Sequence, residues 1–219
     1  MASKTHQMSS VKHNLAAANP AFQPRPDLIS GIQLALATRG AVAVVGNGGM
    51  GKSQLAKHFA HQCVVDDAAP YSLVWRFEAR TSTEVESGYR SLAEVLGISG
   101  ESTLSLEQLV AAVHVSLAHS SRYDSWLIVF DDPKLESTLL ASLSGLLPRR
   151  ESSGVGHVLI TSRSQTWTVC DVVHVTPFSE KEAVAFVTKA LSFASTADCM
   201  MLCAALGNHP LALSQAVGY

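Results

Sequence analysis

The run Gly46-Asn47-Gly48-Gly49-Met50-Gly51-Lys52-Ser53 satisfies the pattern G-x-x-x-x-G-K-[ST] in full. Few short patterns restrict a fold so tightly, because each residue type answers to a chemical need. Glycines let the backbone curl until successive N–H groups point inward at phosphate oxygens. A following helix adds its positive N-terminal end. The Lys52 ammonium neutralises charge on β- and γ-phosphates, and the Ser53 hydroxyl ligates magnesium. A glycine-rich hairpin is the plain alternative. Its neighbours argue against it: Ala41 to Val45 reads as a buried β-type run, and Lys52 to Gln62 as a helix. Residues Gly46 to Gln54 are therefore the expected cradle for ATP or ADP with Mg2+.

A second motif supports the first. Trp126 to Phe130 is an apolar strand that ends in two carboxylates, Asp131 and Asp132. Buried parallel strands deliver their last residues to the edge where ligands of open α/β folds sit. Asp131 is then placed to hold magnesium through water, beside Ser53. Asp132 is a candidate for orienting the attacking water, although Asp132-Pro133 also suits helix entry. Val158-Leu159-Ile160 leads likewise into Thr161-Ser162-Arg163. If that strand lies beside the P-loop strand, Arg163 can reach the terminal phosphate and report its presence; otherwise it is a solvated arginine in a turn. Lys52, Asp131, Asp132 and Arg163 are the candidate catalytic groups.

Strands alternating with helices up to about residue 177, followed by helices alone, imply an α/β P-loop sandwich with a parallel five-stranded sheet and a small all-helical subdomain. Thr81/Glu84, Ser105/Gln108 and Ser179/Glu182 have capping-box spacing and mark helix starts. The expected division is a disordered leader over 1–24, a nucleotide-binding domain over 25–177, and the start of a helical subdomain over 178–219, truncated at Tyr219.

Composition narrows the rest. With 47% hydrophobic and 16% charged residues the chain is globular, and a net charge of −2 gives no general field for a nucleic-acid backbone. No apolar run reaches membrane-spanning length. Four scattered cysteines suit a reducing cytoplasm better than a disulfide framework, and Cys199 and Cys203, four apart on a helix, read as core thiols. His58 and His61 lack further metal-type partners and read as surface or boundary residues.

The three motifs, in this order, resemble the NB-ARC family of signal-transduction ATPases, a group of STAND type. Asn19-Pro20-Ala21-Phe22 through Arg25 looks like the family's N-terminal motif, and Leu206-Gly207-Asn208-His209-Pro210-Leu211-Ala212-Leu213 like its helical-subdomain motif. The resemblance implies that Arg25 lies near adenine and that Pro210 packs on the nucleotide. Pro24 stands where the family usually has glycine, and Ser53 where threonine is commoner. The family's function would make this chain an ADP/ATP-gated switch with slow or conditional hydrolysis, acting through protein partners or self-association. Two other readings stand beside it. One is a small-molecule kinase, for which the stretch from Leu143 to Gly156 offers only Arg149 and Arg150 as a lid. The other is a truncated nucleotide-binding interaction module.

Overall fold

The computed structural model describes residues 11–65, 70–133 and 155–218. Residues 1–10 of the expected leader, the arginines Arg149 and Arg150 weighed as a lid, and Tyr219 lie outside them.

The chain order is β1 (Lys12–His13), α1 (Pro26–Arg39), β2 (Ala41–Val45), α2 (Lys52–Val65), β3 (Leu73–Glu78), α3 (Ser82–Leu96), α4 (Leu106–His119), β4 (Ser125–Asp131), β5 (Val155–Ser162), β6 (Asp171–His174), α5 (Glu180–Ala190), α6 (Thr196–Ala205) and α7 (Pro210–Val217). The strands form one parallel sheet in the order β1-β3-β4-β5-β2-β6.

Alternation along a strand divides the core. On β2, Ala41, Ala43 and Val45 face a layer built with Val85, Tyr89 and Leu92 of α3 and Leu109 and Val113 of α4. Val42 and Val44 face the opposite layer, with Ile32 and Leu36 of α1 and Leu55 and Phe59 of α2. A strand buried on both faces must be apolar throughout, and all five residues of β2 are buried. A third, smaller core joins α5, α6 and α7 through Ala183, Val187, Cys199, Cys203 and Leu213. All four cysteines are buried.

All three expected capping boxes form, at Thr81/Glu84, Ser105/Gln108 and Ser179/Glu182. Each satisfies two orphan backbone donors reciprocally and fixes where its helix starts. Among the described residues no helix is long and apolar enough to cross a membrane.

One count differs from the expectation: among the described residues the sheet has six strands, not five, because Lys12–His13 pairs with Leu73–Val74 at the β3 edge. Side chains tie neighbouring residues to the same edge and to the core. Asn14 donates to the Arg76 carbonyl at 2.8 Å and accepts from the Arg76 amide at 2.8 Å, extending the strand pairing with a side chain. Phe22 stacks on His58 with ring centroids 4.2 Å apart, and Val11 and Leu15 pack against the α1–α2 core. A two-residue strand has no periodicity to reveal it, and an asparagine that imitates a backbone partner leaves no hydropathy signal.

Candidate functional site

Strand register assembles the site. Val45 pairs with Ser162, and Asp131 with Thr161, so the carboxyl ends of β2, β5 and β4 arrive side by side. The loop after Val45 therefore emerges next to both the acidic strand end and Arg163, as the motif reading required. The loop lies over a cleft of ≈ 380 Å³. Gly48 to Gln54 line the cleft together with Arg25, Asp132, Thr161, Arg163 and Pro210. Gly46 and Asn47 sit at the loop's base, their carbonyls turned to Lys52. Asp131 lies beneath the cleft and is 1% exposed.

The loop conformation fits a phosphate cradle. Gly51 has φ 86°, a left-handed value, and an added Cβ there would meet nothing within 4 Å, so that side of the loop is open. Gly49 has φ 75°, and its missing Cβ would fall 2.5 Å from His209 Cε1 and 2.9 Å from Leu211 Cβ. The loop is thus pressed against the start of α7 on one side and open on the other.

Lys52 is buried, and its Nζ donates to the Gly46 carbonyl at 2.9 Å and the Asn47 carbonyl at 2.8 Å. Burial pulls its pKa below the ordinary lysine value; Asp132 opposes that, Arg163 adds to it, and Asp131 opposes it. Ser53 Oγ donates to Asp131 Oδ1 at 2.6 Å, and Thr161 Oγ1 donates to the same oxygen at 2.5 Å. The other carboxylate oxygen is paired with the Arg76 guanidinium. Burial alone would raise the Asp131 pKa, but the hydrogen bonds from Ser53, Thr161 and Arg76, with the Arg76 charge, hold it below the usual range. Asp131 is thus a buried carboxylate one hydroxyl away from the loop, the donor set that magnesium prefers beside phosphate.

Asp132 has φ 54° and donates its amide to Thr161 Oγ1 at 2.9 Å. Its carboxylate lies 3.7 Å from the exposed Arg163 guanidinium. Arg25 is brought to the cleft, yet its donors are already engaged. Its Nε pairs with Glu182 at 3.1 Å, and its Nη atoms bond the Thr176 and Pro177 carbonyls at 2.9 and 3.2 Å. The guanidinium lies 5.4 Å from the Phe178 ring centroid. Pro210 is the first residue of α7 and is buried, while the Leu211 amide donates to the Gly49 carbonyl at 3.2 Å. Gln54 accepts from the Asn19 amide at 3.2 Å.

A model of the AAA domain matches residues 35–165, which is more than half of the chain. The chain belongs to the AAA domain family. It is accordingly a P-loop ATPase domain. No curated protein matches the sequence significantly. Among solved structures, this AAA domain resembles a STAND protein with a tetratricopeptide-repeat sensor from Pyrococcus horikoshii, with TM-score 0.62 and 18% identity over 96% of this chain and 31% of that one. It also resembles Cdc6p from Pyrobaculum aerophilum, with TM-score 0.62 and 14% identity over 84% of this chain and 56% of the other. The Aeropyrum pernix ORC1 protein, solved in complex with DNA, gives TM-score 0.57 and 14% identity over 90% and 59%. At such identities the likeness establishes the fold. The AAA domain spans between 31% and 59% of the length of these neighbours.

Sequence reasoning missed Arg76, Glu78, Glu182 and the Thr161 hydroxyl as parts of the site. Arg76 had a visible signal. A charged residue inside the run Leu73-Val74-Trp75-Arg76-Phe77 is costly to bury without a partner, and so points to a carboxylate nearby. In the sequence Glu182 reads only as the partner of a capping box; that its Oε1 also receives Arg25 depends on a contact 157 residues apart in the chain.

Proposed function

We propose that this AAA domain is the ADP/ATP-binding switch module of a STAND-type signalling ATPase, close to the NB-ARC branch, with slow or conditional hydrolysis. One observation carries the reading: the Leu211 amide bonds the Gly49 carbonyl, so the helical part rests directly on the phosphate loop. A ligand that fills the cleft must touch both. Nucleotide can then bias the position of the helices by as much as its phosphates interact differently with the two arrangements.

In this reading the loop amides and Lys52 hold the polyphosphate, Lys52 exchanging its carbonyl partners Gly46 and Asn47 for phosphate oxygens. Ser53 and Asp131 would hold Mg2+, which supplies charge neutralisation between the phosphates when bound. Asp132 would orient water, and Arg163 would distinguish ATP from ADP by charge-assisted bonds to the γ-phosphate. Pro210 and Leu211 form the wall contributed by the helical part, and Arg25 fastens α5 to the core. The wider setting proposed is cytoplasmic, with a signalling protein or a second copy of the chain as partner.

Hydrogen exchange compares the chain with ADP and with a non-hydrolysable ATP analogue. The switch reading expects amides of α7 and the α5 start to exchange differently in the two complexes. Identical exchange there, with both nucleotides bound, contradicts a switch and leaves a plain nucleotide-binding module.

A further inference from the structure

Asp131 is not free to serve a metal ion alone. Its Oδ2 is paired with Arg76, whose second arm reaches Glu78 Oε1 at 2.5 Å. Arg76 lies on β3, where Glu78 pairs in register with Asp131 on β4, so the triad spans two neighbouring strands. The Arg76 side chain is only 13% exposed. Asn14 bonds both the Arg76 backbone amide and the Arg76 carbonyl from the sheet edge. The geometry is therefore held from the sheet edge inward, and the two carboxylates that share the guanidinium offset the cost of burying its charge.

We propose that Arg76 is a positioning residue that sets the metal affinity of the nucleotide site, acting through Asp131, with Glu78 as the counterweight that draws its charge away. This rests on the nucleotide-binding reading above. A cation beside Ser53 must be attracted by a carboxylate whose far oxygen already faces a positive group. At the few-ångström separations involved, one unit charge changes divalent-cation affinity by about tenfold even with strong screening. The consequence is a site that holds nucleotide chiefly through Lys52 and the loop amides, with Mg2+ as a weakly bound and exchangeable partner.

The test titrates Mn2+ into the ADP-bound chain and follows the loss of the free Mn2+ electron-paramagnetic-resonance signal, with ADP binding in EDTA measured alongside. Arg76→Gln should tighten Mn2+ by about tenfold. Glu78→Gln should weaken it by about threefold, because all of the Arg76 charge then faces Asp131. Arg76→Lys should stay near the wild type. General damage to the site would weaken Mn2+ in both Gln variants, so opposite signs are the signature. Unchanged or weakened Mn2+ binding in Arg76→Gln overturns the proposal. If that variant does not fold, Glu78→Gln decides: weaker Mn2+ supports the proposal, and equal or tighter Mn2+ overturns it. A wild-type chain that binds no ADP even in EDTA overturns the nucleotide reading itself, and this inference with it.

Discussion

The backbone amide of Leu211 donates to the carbonyl of Gly49 at 3.2 Å, joining the last helix to the centre of the glycine-rich loop. The same contact explains why Gly49 is glycine: a Cβ would collide with His209 and Leu211 while the backbone sits at φ 75°. Local strain and tertiary docking thus meet at one residue.

Gly49→Ala should therefore both strain the loop and push α7 away. The expected cost is about 2–3 kcal/mol of stability, with at least a tenfold loss of ADP affinity. Gly48→Ala is the control for stability, since no atom lies within 4 Å of its would-be Cβ, and its Tm should move little. Calorimetric melting and an ADP titration read both effects.

Arg25 and Glu182 should behave as a coupled pair. Their side chains are 9% and 23% exposed, and Arg25 also bonds two carbonyls of the segment leading into α5. Arg25→Ala leaves a partly buried carboxylate without its partner and should destabilise the chain by about 2–4 kcal/mol. A denaturation double-mutant cycle with Glu182→Gln should give a coupling above ~1 kcal/mol. Additive effects would show that the pair does not fasten the helical part.

Acid should weaken the fold through His114. Burial lowers its pKa from 6.5 to about 4, and its ring faces the Tyr89 hydroxyl at 3.5 Å. The neutral ring is favoured in the folded state, so the unfolded chain binds more protons between those values. The stabilisation is complete above about pH 6.5 and is lost as pH falls toward 4, amounting to ~3 kcal/mol. His114→Gln should flatten that part of the stability profile. Asp131, whose pKa is also depressed, adds a further loss at lower pH as it protonates.

The parts of the site that could be read from sequence are those set by local chemistry. The loop from Gly46 to Ser53 has a spacing imposed by phosphate geometry, and β2, β4 and β5 are apolar runs because parallel strands are covered on both faces. The capping boxes rest on contacts three residues apart and were equally visible. The position of Arg163 followed conditionally, and the β2–β5 pairing supplied the condition. What escaped was long-range and side-chain mediated. Asn14 reaches Arg76 across 62 residues, Arg76 reaches Asp131 across 55, and Arg25 reaches Glu182 across 157. No periodicity records such pairs, because each depends on the register of strands or helices that only the folded chain fixes.

The central claim is that the coil from Gly46 to Ser53 holds a nucleotide polyphosphate through Lys52, and thermal stabilisation by ADP tests it most directly. The wild-type chain should gain several degrees of Tm at ADP concentrations well above Kd, about 2.7 kcal/mol at a hundredfold excess. Lys52→Ala should lose that gain while keeping its own fold. Equal stabilisation of the wild type and Lys52→Ala by ADP would contradict the claim.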